Sequence, residues 1–137
     1  MGNRRRAREL AMQALFQADA NNDYSPEKVR LFRENFEVSK DVIPFFSRLT
    51  AGVIEHKDEI DQCIHRVSTN WKISRMSRVD RNAMRIAVFE ILYCDDIPFK
   101  VSIDEAVDLG KKYGTKDSGA FINGILDSIH ASATSPP

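Results

Sequence analysis

An all-α fold of about seven helices is the architecture this 137-residue sequence predicts, and three observations predict it. Apolar residues recur three and four positions apart along nearly the whole chain. Helix-start signals, a serine followed by proline or by an acid three places on, stand between those runs. No stretch alternates apolar and polar residues as a half-buried strand would, and no internal repeat is evident.

The first helix is read over residues 4–20. Ala7, Leu10, Ala11, Ala14, Leu15 and Ala18 line one face, and the small alanines allow a neighbouring helix to approach closely. Arg5, Arg6, Glu9 and Gln13 point away from that stripe, with Arg4 and Arg8 at its edge. Met12 and Phe16 fall off it, which gives this helix a second contact surface. After an Asn21-Asn22-Asp23 loop, Ser25 and Pro26 supply an N-cap and a first helical residue, and Val29, Phe32 and Phe36 mark the apolar face. Ser39 or Asp41 opens the next segment, where Pro44 is tolerable only near the start. Phe45, Phe46, Leu49, Val53, Ile60, Ile64 and Val67 continue the pattern, with a break expected between His56 and Asp58, where Asp58 caps a fresh helix.

The central helix is read between Ser77 and Cys94. Ser77 with Asp80 forms its capping signal, and apolar groups surround the second half almost completely, which marks that half as buried among neighbours. Glu90 falls on the apolar side and reads as a paired structural carboxylate rather than a catalytic one. Ser102 with Glu105 reads as a capping box opening a helix over 103–113, which Gly114 ends. Asp117 or Ser118 begins the last helix, with Ile122, Ile125, Leu126 and Ile129 as its core stripe. Residues 131–137 read as a disordered tail on a single domain, 1–137.

At 42% apolar and 29% charged residues, the composition is that of a folded chain. No apolar run approaches the roughly 18 residues of a membrane span, and no apolar segment follows the arginines as in a secretory signal. Cys63 and Cys94 lack zinc-ligand spacing and read as reduced thiols of a cytoplasmic protein. There is no phosphate-cradling glycine loop, serine elbow or CxxC, and His56, His65 and His130 form no metal or nucleophile pattern. The residues therefore point to no enzyme, no metal and no cofactor.

Charge is where function shows. The formal net charge is zero, but residues 3–8 carry four arginines, Arg4, Arg5, Arg6 and Arg8, before the first acid. Residues 66–85 hold six basic groups against one acid, Asp80. Guanidiniums at a helix N-terminus oppose the helix dipole by a few tenths of a kcal/mol each, and a bound phosphate reverses that sign. Both patches can instead pair with acids of the fold. Phe121, in the first turn of the last helix beside Lys116 and Asp117, is either a base-stacking platform or the first core residue of its helix, and periodicity alone favours the core.

Several stretches in this order resemble the NusB family of bacterial transcription antitermination factors. They are RRRARELAMQALFQ at 4–17, AGVIEHKDEID at 51–61, NWKISRMSRVDRNAMRIAVFEILY at 70–93, DIPFKVSIDEAVDLGKKYG at 96–114 and DSGAFINGILD at 117–127. Gly110 departs from the usual alanine, and Gly119-Ala120 is less polar than in many relatives. The resemblance implies two small helical subdomains. It also implies binding of single-stranded boxA RNA of ribosomal RNA leader transcripts, jointly with the ribosomal protein NusE. Other Nus factors and RNA polymerase would be indirect partners. Mapped by position, the RNA contacts are Arg4, Arg5, Arg6, Arg8, Asp117 and Phe121, with Asp80 and Phe99 on the side facing RNA or NusE. Met12, Phe16 and the connector around Trp71 are left as apolar surfaces for NusE or for a homodimer. Neutralising about four phosphates gives a salt slope near −3, so one such patch binds weakly without a partner. A protein-interaction module whose arginines merely solubilise it is the competing reading.

Overall fold

The computed structural model describes residues 2–134 and, among them, seven α-helices, one short 3-10 turn and no strand. The helices are α1 (Asn3–Asn21), α2 (Pro26–Glu34), α3 (Ile43–Glu55), α4 (Lys57–Val67), α5 (Arg78–Tyr93), α6 (Phe99–Tyr113) and α7 (Ser118–Thr134), with the 3-10 turn at Ile73–Arg75. The tail expected over 131–137 is corrected in its first part, since α7 runs to Thr134; the remainder of that stretch lies outside the described residues.

The helix α5 is the hub, packing against α1, α3, α4, α6 and α7. Its start is the predicted one: the Ser77 hydroxyl accepts from the Asp80 N–H at 3.0 Å. Residues Asn82 to Glu90 are buried without interruption, which matches an apolar sequence that has stopped being amphipathic. Where α3 crosses α5, the ring of Phe89 lies directly over Gly52, in the space a β-carbon would occupy. Any side chain at Gly52 would have to displace that buried ring. A second close crossing joins α6 to α7, where a β-carbon on Gly110 would sit 2.6 Å from Ile122 Cδ1 and 3.2 Å from Ser118 Cβ.

Three local expectations are corrected. The helix α6 begins at Phe99, not after Ser102, because extended Pro98 accepts from the N–H groups of Val101 and Ser102. Ser102 is then inside the helix, and its hydroxyl donates to Glu90 at 2.7 Å. The break before α4 falls at His56 as expected, but Asp58 sits in the first turn and no side chain caps the helix. Met12 is 2% exposed, a core residue rather than a contact surface, while Phe16 is exposed at 38%. The helix α2 is the loosest element: Ser25 and Pro26 start it as predicted, but none of its residues is fully buried.

Candidate nucleic-acid interface

The N-terminus of α1 has no side-chain cap and no acid in its first turn. Its first N–H groups are left without helical partners, and arginines crowd around them. Each of the four arginines nevertheless has a carboxylate of the same chain. Arg4 meets Asp96 at 3.2 Å, and Arg48 of α3 holds the same carboxylate at 2.8 Å. Those two guanidiniums, Arg48 first, keep the Asp96 carboxyl well below the ordinary carboxylate range. Arg5 donates to Glu105 at 2.8 Å and also to Asp108. Arg6 reaches Glu9 at 3.5 Å, one helical turn on.

Arg8 is a different object. Its side chain is 5% exposed and grips Glu90, itself 1% exposed, through two bonds of 2.8 and 2.9 Å, with a third to Glu105 at 3.2 Å. Glu90 also accepts from Ser102, so its carboxylate is fully engaged. The guanidiniums of Arg4 and Arg8 both lie over the Phe45 ring, at 4.7 and 5.1 Å. Arg8, expected at the edge of the apolar stripe and mapped by resemblance as an RNA contact, is instead buried and ties α1 to α5 and α6 from inside. Glu9, expected to point outward, is 5% exposed. Burial works to raise its pKa, but the Lys112 and Arg6 pairs outweigh burial and hold it below the ordinary value.

The second basic patch splits in the same way. Arg81 pairs with Asp19 at 2.5 Å, and Arg85 reaches Asp61 at 2.8 Å and Asp19 at 3.3 Å. Asn82 adds an amide bond to Asp19 at 3.1 Å. Burial alone would raise the Asp19 pKa, but Arg81 and Asn82 bring it below its usual value. These arginines staple α5 to α1 and α4. Arg66, Lys72, Arg75 and Arg78 remain exposed.

At the start of α7, Asp117 is exposed and its carbonyl accepts from the Phe121 N–H at 3.1 Å. Phe121 is half-buried, and its ring meets Trp71 edge-on with centroids 6.2 Å apart. Trp71 is 55% exposed, the most open large apolar side chain among the described residues. The two aromatics form a partly open step beside His65, Lys72 and Arg75, which line a polar hollow with Trp71. The arginine end of α1 is tied to the last turn of α6 through Glu9, which accepts from Lys112 at 2.5 Å and Tyr113 at 3.4 Å.

The remaining expected residues lie elsewhere. Asp80 is half-buried at the first turn of α5, with one carboxylate oxygen enclosed and lacking a hydrogen-bond partner. Phe99 is 42% exposed at the start of α6 and stacks on His130 at 3.4 Å. Sequence reasoning missed Arg48, Lys111 and Lys112. The two lysines were legible as basic residues in the last turn of a helix, where the dipole favours them. Arg48 carried no such signal.

Comparison with known proteins identifies the family and the fold. The model of the NusB family matches residues 5–131. A transcription antitermination protein NusB from Desulfatibacillum aliphaticivorans is 57% identical over 130 residues, covering 95% of this chain and 91% of its own. The solved structure of T. maritima NusB superposes with a TM-score of 0.85 at 39% identity, over 97% of this chain and 93% of that one. A NusB chain solved with NusE and double-stranded RNA superposes with a TM-score of 0.85 at 28% identity, covering 96% and 98% of the two chains.

Proposed function

The chain belongs to the NusB family, and from that premise we propose that it is a transcription antitermination factor. It binds single-stranded boxA RNA of ribosomal RNA leader transcripts together with NusE, and so keeps RNA polymerase elongating. One observation carries the RNA part of this reading: three partly exposed guanidiniums, Arg4, Arg5 and Arg6, ring a helix N-terminus that no side chain of its own caps. Their carboxylate partners are also accessible in two of the three cases, and exposed ion pairs of this kind hold by about 0–1 kcal/mol. A phosphate can displace them at little cost.

In this reading Arg4, Arg5 and Arg6 meet phosphates. Phe121, extended by Trp71, supplies the stacking step for unpaired bases, with Asp117 beside it to accept from a base amino group. Arg8 positions the fringe without touching RNA. With three phosphate contacts instead of four, the salt slope becomes about −2, and affinity falls about twentyfold between 50 and 200 mM salt. So shallow a patch supports a requirement for a protein partner, and Phe16 and the exposed Phe99 are the apolar positions offered to one. The same ion pairs favour the competing reading, an interaction module in which the arginines serve only their own fold. Titration of the protein with boxA RNA at 50 and 200 mM salt, with and without NusE, separates the two. The proposed function expects binding that weakens with salt and strengthens with NusE. Salt-independent or absent binding, with NusE capture retained, would establish the interaction module.

A further inference from the structure

Glu105 and Asp108 share one guanidinium, yet they stand in different surroundings. Glu105 is 17% exposed and also bonds buried Arg8 at 3.2 Å, so it belongs to the interior network. Asp108 is 50% exposed and its only ion pair among the described residues is with Arg5, itself 47% exposed. It lies on the turn of α6 before Lys111 and Lys112, and these side chains line one hollow of about 390 Å³ with Arg5 and Arg8. In that hollow Asp108 is the accessible negative charge at a place where the other exposed groups are positive.

We propose that Asp108 is a built-in counter-ion that occupies Arg5 in the free protein and sets the affinity for the RNA backbone. An incoming phosphate diester takes the place of the Asp108 carboxylate on the Arg5 guanidinium, while Glu105 keeps Arg8 and the helix packing in place. The carboxylate thus weakens binding to any polyanion, and more so at low salt, where the repulsion between carboxylate and phosphate is least screened. This rests on the reading of Arg5 as a phosphate contact.

The test is RNA affinity for the full chain, measured with a fluorescent boxA oligonucleotide at 50 and 200 mM salt. D108N is expected to tighten binding about two- to fivefold at 50 mM, with a smaller gain at 200 mM. D127N, which removes an exposed acid from the far part of α7, is expected to change binding less than twofold. In an R5A background the D108N gain should largely vanish. Equal gains from D108N with and without Arg5, or no gain at all in a protein that R5A weakens, would overturn the counter-ion role and leave the phosphate contact standing. No loss of affinity in R5A would instead remove the contact on which the inference rests. Unchanged helicity and thermal midpoint in D108N are expected because the residue is exposed; a large loss of stability would place Asp108 in the fold and overturn the proposal.

Discussion

The first turns of α1 and the first turns of α5 look alike as sequence, each a short helical stretch dense in arginine, and they end in opposite environments. Around α5, Arg81 and Arg85 are 11% and 5% exposed and grip carboxylates on two other helices. Around α1, Arg4, Arg5 and Arg6 are between 39% and 51% exposed. Arg8, only two residues beyond Arg6, crosses to the first kind. The difference lies in solvent access rather than in the number of charges. A buried arginine cannot leave its carboxylate without stranding it, whereas an exposed one exchanges partners at small cost.

The largest expected effect breaks the buried side of this comparison. Replacing Arg85 with alanine leaves Asp61 with only the longer Lys57 pair, at 3.6 Å, and Asp19 with Arg81 and Asn82, and should cost about 3 kcal/mol of stability in urea unfolding. RNA affinity of the protein that remains folded should be unchanged. Next, replacing Arg4, Arg5 and Arg6 together with alanine should lower affinity for boxA RNA about tenfold or more at 50 mM salt and flatten its salt dependence. The thermal midpoint should stay within about 4 °C, since the three guanidiniums lost are partly exposed and the inner carboxylates Glu9 and Glu105 keep Lys112 and Arg8. If the triple variant unfolds while R85A does not, the roles of the buried and the exposed arginines are inverted. A smaller loss, about fivefold, is expected for Phe121 replaced by alanine, and it should be greater for unpaired than for duplex RNA. Equal losses would return Phe121 to a packing role.

The smallest effect separates the regions by pH. Asp19 has a folded pKa below its ordinary value, so its pairing with Arg81 and Arg85 contributes full stability above about pH 5. That contribution is lost as pH falls through the folded value. Urea unfolding at pH 7, 5 and 3 should therefore show the wild type losing an increment below about pH 4 that is smaller in R81A, where Asp19 keeps only Arg85 and Asn82. RNA binding by the arginine fringe should not change between pH 5 and 8, because guanidinium does not titrate there.

How much of this was legible in the sequence follows the range of the interactions. The Ser25-Pro26 start, the Ser77 cap and the apolar second half of α5 depend on residues within one or two turns, and they stand where periodicity placed them. The pairing of Arg85 with Asp61 spans 24 residues and that of Arg81 with Asp19 spans 62, distances at which no local pattern operates. Ser102 and Glu105 had the spacing of a capping box, but Pro98 had already begun the helix, which freed both side chains for Glu90 and for the arginines. Met12 fell off the alanine stripe because that helix buries more than one face, something a single amphipathic stripe does not anticipate. At the candidate interface the arginines were visible at once. Which of them faces outward depended on Phe45 and Glu90, and neither is near them in sequence.

The long reach of those α1 contacts has a consequence for the order in which the molecule comes together. Arg8 lies 82 residues before Glu90 and 97 before Glu105, and Arg5 lies 100 before Glu105. At roughly 5–20 residues per second, the guanidiniums leave the ribosome about 5–20 s ahead of the acids that will hold them. Throughout that interval the nascent segment carries four arginines against Glu9 alone beside ribosomal RNA, and α6 must emerge before it can be folded away. The edge proposed here to greet a transcript is therefore made well ahead of its own restraints, and it is among the last parts of the molecule to be secured.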